Sequence, residues 1–472
     1  MSRLVVVSNR IADPRKAAAG GLAVAIRDSL QETGGVWFGW SGKLRGDEDD
    51  RATHGGARHG GDVQIQTAGG IQLATIDLDA KDYDAYYLGY SNNVLWPVFH
   101  YRLDLAQFDR RFADGYRRVN RLFAHKLHPL LESGDIVWVH DYQLIPLAAE
   151  LRAMGWTGPV GFFLHIPMPP SPIMTAIPQH ESLMRSLFAY DLVGFQTEAD
   201  LLHFERYVAS EAGAVRLPDG RLHAFGRTLS AGAFPIGIDV DEFAALAGNR
   251  DGIDMFEHMR DEYSRRQLLV GVDRLDYTKG LPQRMQAFRQ LLEDYPENRN
   301  RATLIQIAAP SREGLGAYDD LRREMDSLCG AINGEYGELE WMPIRYIHRT
   351  IARTRLPGLY RASRVALVTP LRDGMNLVAK EFLAAQDESD PGVLVLSRFA
   401  GAAEQLKEAL LVNPYDTQGT AQAIQRALTM PLDERRQRHA ALLATLRRYD
   451  VRWWRTRFLD ALAEATHAPA QR

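Results

Sequence analysis

The sequence predicts an α/β protein made of two doubly wound, Rossmann-like domains facing a central cleft. Its 472 residues exceed what one hydrophobic core usually serves, which points to two domains. Short β-branched runs alternate with longer stretches of helical period, the pattern of parallel strands joined by helices. This pattern occurs once in each half of the chain.

In the first half the runs are LVVVSN (4–9), DIVWVHD (135–141), VGFFLHI (160–166) and DLVGFQT (191–197). VQIQTAGGIQLATIDL turns at Gly69-Gly70 and predicts antiparallel strands at one edge. The second half carries QLLVGVD (267–273), ATLIQIA (302–308), IRYIH (344–348), RVALVTP (364–370), GVLVLS (392–397) and ALLVNP (409–414). Pro235 and Gly237 close the first block, so domains are expected at 1–237 and 238–449, with a C-terminal helix from about 450 to 472 joining the first.

Composition narrows the function. Lys and Arg number 56 against 60 Asp and Glu, a net charge of −4, which gives no global reason to bind nucleic acid or an anionic membrane. Any anion site must then be local. The single cysteine, Cys329, reads as a buried thiol in a reducing compartment. The opening MSRLVVVSNR has too short an apolar run for a signal peptide or a membrane span, so a soluble, cytoplasmic protein is expected. HExxH, CxxC, GxSxG, a P-loop and a GxGxxG after the first strand are all absent, which removes the commonest zinc, hydrolase, kinase-like and dinucleotide signatures.

In open parallel sheets ligands gather beyond the carboxyl ends of the strands. Asn9-Arg10, His140-Asp141, His165, Arg274 with Lys279, Arg312 and Asp373 all fall at such ends. In VDRLDYTKGLP, Arg274 and Lys279 precede Gly280 and a helix with Pro282 in its first turn. Two cations beside free helix-start amides make a diphosphate site, while surface pairing with Asp273 and Asp276 is the alternative. In TPLRDGMNLVAKE, Gly374 frees the backbone so that the amides of Met375, Asn376 and Leu377 can hold phosphate oxygens. There Asp373 can accept from sugar hydroxyls, and Glu381 from those of a ribose. The alternative makes Asp373 an N-cap and Glu381 an exposed helix residue. A lone His165 is more often hydrogen-bonded structure than catalyst. Trp40 and Trp96 are either core aromatics or flat walls for a sugar ring.

Taken together, SNR, GGLA (20–23), WFGWSG, NNVLWPVFHY, VWVHDYQL, GFFLHIP, DLVGFQTE, VDRLDYTKGLP, INGEYG and TPLRDGMNLVAKE resemble the trehalose-6-phosphate synthases, retaining glycosyltransferases of family 20 with the GT-B architecture. The match runs in order from the N-terminus to about Trp454. The resemblance implies glucose transfer from a nucleotide donor, usually UDP-glucose, to glucose 6-phosphate, giving α,α-trehalose 6-phosphate without metal or other cofactor. It makes Arg274 and Lys279 the diphosphate cations, Glu381 the ribose ligand, and Asp373 with the Met375–Leu377 backbone the holders of the transferred glucose and its phosphates. Arg10, Tyr87 and Arg312 match a clamp on the acceptor phosphate, Trp40, Trp96 and Asp141 its sugar wall, and His165 the residue beside the donor sugar. Gly20 and Gly21 correspond to a mobile loop closing on the donor. The implied mechanism is front-face, the leaving diphosphate taking the acceptor's proton, and relatives are often dimers or tetramers. Two departures are Gln143, where many relatives have His, and Pro172, where they commonly carry Glu. A sister synthase with another phosphorylated acceptor, such as glycerol 3-phosphate, and an inactive sugar-phosphate sensor are the competing readings.

Overall fold

The computed structural model describes residues 3–11, 26, 30, 34–45, 63–312 and 314–467. Gly20 and Gly21 lie outside the described residues. The chain forms two compact units, one reaching to Phe234 and resuming at Trp454, the other running from Pro235 to Trp453. Among the described residues no helix is long and apolar enough to cross a membrane.

The first unit is organised on a ten-stranded sheet. Its strands are β1 (Leu4–Arg10), β2 (Gly35–Leu44), β3 (Gln64–Ala68), β4 (Ile71–Leu78), β5 (Ile136–His140), β6 (Val160–Phe163), β7 (Leu192–Phe195), β8 (Val215–Arg216), β9 (Leu222–Ala224) and β10 (Arg227–Ala233), in the order β3-β4-β2-β1-β5-β6-β7-β10-β9-β8. Strands from β4 through β10 in that order are parallel. β3 pairs antiparallel to β4 through a turn at Gly69 and Gly70, both with positive φ (58° and 81°), the conformation a tight two-residue hairpin demands. β2 and β10 were not expected as strands. GVWFGWSGKL and RTLSAGA are rich in glycine and small or aromatic residues rather than β-branched runs, and pairing with their neighbours overrides that weak local preference.

The last helix, Val451–His467, buries Trp454 and Phe458 against this sheet. Trp138 of β5 stacks on Phe458 with ring centroids 4.7 Å apart and lies 4.9 Å from Trp454. Gly161 of β6 and Gly194 of β7 form the seat, since a Cβ on either would stand 2.8 Å from the Phe458 ring. The C-terminal helix thus fills a groove that two glycines leave open.

The second unit holds β11 (Gln267–Arg274), β12 (Ala302–Ala309), β13 (Ile344–Ile347), β14 (Val365–Val368), β15 (Val393–Ser397) and β16 (Leu410–Val412), all parallel, in the order β13-β12-β11-β14-β15-β16. This is the Rossmann order, with its reversal between β11 and β14. The first unit reverses likewise between β1 and β5.

Phe458→Ala should remove an aromatic ring that nothing nearby can replace. We expect it to destabilise the first unit by about 3–5 kcal/mol, seen as a lowered denaturant midpoint for that unit's transition, whereas an unchanged midpoint would contradict the packing described.

Candidate active site

In the first unit, the candidate residues converge at the carboxyl ends of β1, β2 and β5. Arg10 pairs in register with Trp40 across β1 and β2, and its guanidinium lies 5.5 Å from the centre of the Trp40 ring. Gly42, at φ 89°, makes room for it, because a Cβ there would stand 2.5 Å from the guanidinium. Tyr87 and Tyr83 complete an aromatic box, with ring centroids 6.0 and 5.4 Å from Trp40 and 5.5 Å from each other. Both come from a 13-residue π-helical segment, Tyr83–Leu95, a rare geometry that recurs at functional sites. The sequence reading missed Tyr83, although its place four residues before Tyr87 was a usable signal. Trp96 is buried, with its ring 4.0 Å from that of His100 and 5.9 Å from that of Tyr142.

Beyond β5, Asp141 adopts φ 77°. Its carboxylate accepts from the main-chain N–H of Tyr142 (3.0 Å) and of His165 (3.2 Å), fixing the backbone of two candidate residues at once. The imidazoles of His140 and His165 share a hydrogen bond, Nδ1 to Nε2, of 3.0 Å. The Gln196 amide donates to His165 Nδ1 at 3.3 Å. His165 therefore carries its proton on Nε2 and gives it to His140. His140 is left with an Nε2–H that has no partner among the described residues. Burial lowers the pKa of His165 to about 3 and, with His165 adding, holds His140 well below the usual histidine range. Both rings are neutral, and both nitrogens of His165 are occupied.

In the second unit, two loops flank the reversal between β11 and β14. The first leaves β11 through Asp276, a single 3-10 turn at Tyr277–Lys279 and Gly280 (φ 64°), and enters the helix Leu281–Asp294. The second leaves β14 and reaches the helix Leu377–Ala385. Leu371 N–H donates to Thr278 O at 2.8 Å, and Lys279 Nζ donates to Asp373 Oδ2 at 2.6 Å. Lys279 thus pairs with Asp373 of the other loop, whereas Asp273 pairs with Arg284. Asp276 is fully buried and accepts from Arg312 Nη1 at 2.7 Å and Tyr318 OH at 3.2 Å. Burial alone would raise its pKa; the Arg312 guanidinium foremost, with Arg274 and Lys279, holds it well below the usual carboxylate range. Counting Arg274, Lys279 and Arg312 against Asp276 and Asp373, three cations face two carboxylates, and the balance favours an anion.

Asp373 is not the helix cap. Asn376 is, at φ 75°, its side-chain oxygen accepting from Ala379 N–H at 3.4 Å. Among the described residues no acceptor is found for the main-chain N–H of Met375, Asn376 or Leu377, which lie at the helix start with the positive end of its dipole. Asp373 is held instead by Asn376 Nδ2 (3.1 Å) and by main-chain bonds to Phe399 and Gly401. Glu381 is half-buried rather than exposed. Burial pushes its pKa up to about 7 against the pull of Arg353, with Glu242 adding to the rise; Arg353 is itself paired with Glu242 at 2.9 Å. The adjacent Lys380 turns inward, donating to Ile236 O (2.7 Å) and Gln405 Oε1 (2.8 Å), and burial lowers its pKa to about 7.

The structure brings Arg274, Lys279, Arg312, Asp373 and the Met375–Leu377 amides together in one unit, and Arg10, Trp40 and Tyr87 in the other. Arg312 belongs with the former set, and the latter lies in the first unit. Six described non-glycine residues have positive φ, and three of them, Asp141, Arg312 and Asn376, are candidate site residues. Such backbones cost about 1–3 kcal/mol each and concentrate where function needs them.

With His165 as neutral as its surroundings require, we expect its imidazole NMR signals to stay constant from about pH 5 to 8, with the proton on Nε2. A titration inside that range would overturn the assignment.

A model of Glycosyltransferase family 20 matches residues 5–464. The Sinorhizobium fredii trehalose-6-phosphate synthase is 48% identical over 470 residues, covering 99% of this chain and 99% of its own. A Burkholderia xenovorans alpha,alpha-trehalose-phosphate synthase (UDP-forming) in complex with glucose-6-phosphate superposes with a TM-score of 0.92 at 48% identity, over 98% of this chain and 100% of that one. An E. coli structure bound with UDP-2-fluoro glucose gives a TM-score of 0.91 at 46% identity, covering 98% and 99%. Near-complete matches of this kind, on a chain whose two Rossmann sheets each gather charged groups at their reversal points, establish that it belongs to glycosyltransferase family 20.

Proposed function

We propose that the protein is a retaining glucosyltransferase that moves glucose from UDP-glucose to glucose 6-phosphate and forms α,α-trehalose 6-phosphate. The observation that carries this reading is the pair of tied loops at β11 and β14. Lys279, Arg274 and the Met375–Leu377 amides supply positive charge for a diphosphate. Asp373, held beside Lys279, accepts from hydroxyls of the transferred glucose, and Glu381 accepts from those of the ribose. Within the first unit, Arg10 and Tyr87 take the acceptor's phosphate, and Trp40, Trp96 and Asp141 its ring. The complexes of relatives with glucose-6-phosphate and UDP-2-fluoro glucose support this pair of substrates. A phosphorylated, nucleotide-linked substrate pair is a product of intracellular metabolism, which supports action in the cytoplasm; the family resemblance supports a dimer or tetramer.

The family resemblance implies a front-face transfer. The acceptor's anomeric O–H attacks the donor's anomeric carbon from the side the diphosphate leaves, the carbon–diphosphate bond breaks, and the proton passes to the departing diphosphate oxygen. The chain's work is then to position two sugars and to stabilise charge on the leaving group. His165 fits this scheme as a fixed neutral wall, since both ring nitrogens are already engaged within the unit.

The direct test presents nucleotide-glucose donors with glucose 6-phosphate and, separately, glycerol 3-phosphate, and identifies the linkage formed. Trehalose 6-phosphate from UDP-glucose is expected, and exclusive use of glycerol 3-phosphate would replace this reading with a sister synthase. Lys279→Ala should lower turnover by about 100-fold or more while the circular dichroism stays that of the native enzyme. Near-normal turnover would remove the diphosphate assignment.

Because burial lifts Glu381 to about 7, its carboxylate is lost as pH falls through that value, and with it an acceptor for ribose hydroxyls. Donor KM should therefore rise below pH 7, by up to about tenfold per pH unit, with Glu381→Gln giving a weak, nearly flat profile. A donor KM constant between pH 6 and 8 in the unaltered enzyme would contradict the ribose role.

A further inference from the structure

Beneath the two donor loops lies a side chain that the reading above does not use. Arg284 stands in the first turns of the helix Leu281–Asp294 and is 1% exposed. Its guanidinium donates through Nη1 to Asp273 Oδ2 (2.5 Å) and Gln306 Oε1 (2.9 Å), through Nε to Thr369 Oγ1 (3.0 Å), and through Nη2 to Lys279 O (3.5 Å). These partners belong to β11, to β12, to the loop root after β14 and to the loop that carries Lys279. One planar group therefore touches both donor loops where they leave the sheet.

The sheet is shaped to receive it. At Gly271 of β11 a Cβ would stand 2.5 Å from Arg284 Nη1 and 2.4 Å from Gln306 Oε1, so the strand omits a side chain where the guanidinium lies. Asp273, Gln306 and Thr369 are themselves buried. A buried arginine–carboxylate pair is poor at stabilising a fold, because desolvation offsets most of the attraction. What the rigid fork does supply is fixed geometry. Here that geometry fixes the roots of the segments whose tips meet in the Lys279–Asp373 pair and the Leu371–Thr278 main-chain bond.

Resting on the diphosphate reading, we propose that Arg284 is a positioning residue for the donor: its buried guanidinium ties the loop after β11 to the loop after β14 and so sets where Lys279 and Asp373 stand when the nucleotide sugar reacts. It touches no substrate. Its effect falls on the donor side, since its hydrogen-bond partners among the described residues all lie in the unit that carries the diphosphate loops.

The test removes the buried charge as a pair. In Arg284→Met with Asp273→Asn no unpaired ion is left in the interior, so the fold should survive. We expect kcat/KM for UDP-glucose to fall by about 10- to 100-fold, UDP binding measured by calorimetry to weaken, and KM for glucose 6-phosphate to stay within about twofold. Arg284→Lys, which keeps the charge and loses the fork, should fall between this variant and the unaltered enzyme. If the double variant does not fold, the isosteric Thr369→Val, which removes one acceptor, should show the same donor-specific loss on a smaller scale. A folded variant with normal donor kcat/KM, or one in which donor and acceptor parameters decline alike, would overturn the proposal. Lys279→Ala, measured alongside, separates the two claims. If it too left donor turnover intact, the diphosphate reading would fail. If it abolished turnover while the Arg284 variants behaved normally, only the positioning role would fail.

Discussion

The second unit depends on one topological constraint: β11 and β14 are neighbours in the sheet but their outgoing loops run to opposite sides. Such a reversal opens a crevice at the strand ends, and a crevice between two loops has no fixed width unless something spans it. The Lys279–Asp373 pair spans it at the tips, the Leu371–Thr278 bond in the middle and Arg284 at the roots. The first unit answers the same constraint between β1 and β5 with different chemistry. There Arg10 is propped by Trp40 and a glycine, and the Asp141 carboxylate pins the backbones of Tyr142 and His165.

Both solutions bury polar groups, which is costly unless each is partnered. At His165 the partners are neutral and exhaust the ring, so the imidazole has no spare nitrogen for proton transfer. At Asp276 they are cations, and the carboxylate stays ionised far below its usual range. A buried anion beside Arg312, Arg274 and Lys279 keeps those three cations together. Asp373 does the same for Lys279 from the other side. The order of this cluster is thus built in, which lowers the reorganisation required by the diphosphate proposed to bind there.

Much of this was legible from residues alone. Runs such as QLLVGVD and ATLIQIA announce parallel strands because buried strands need β-branched side chains on both faces. The Gly69-Gly70 hairpin was legible for its demand on φ. β2 was not, because GVWFGWSGKL lacks that signature and its pairing to β1 and β4 is a tertiary fact. At the site, the cations and amides after β11 and β14 were readable from spacing, but the Lys279 partner was not, since Asp373 lies 94 residues away in sequence. Arg284 was invisible for a related reason. Nothing local distinguishes a buried arginine on a helix from an exposed one until the glycine opposite it is seen in the sheet.

Lys380 and Glu381 show how far adjacency in sequence can mislead. The two are opposite charges side by side, yet successive helix positions do not face each other, and burial rather than mutual pairing dominates both. Lys380 points into the unit and holds the helix to Ile236 and Gln405; Glu381 is left half-buried, the carboxylate proposed above as the ribose acceptor. An ammonium satisfied by two neutral oxygens fixes the helix in place without neutralising the carboxylate next to it. Had Lys380 paired with Glu381, the carboxylate would have been occupied and the helix left without that anchor. The direction in which one lysine turns therefore both anchors the helix that follows the Met375–Leu377 amides and leaves the neighbouring carboxylate without that ammonium as a partner.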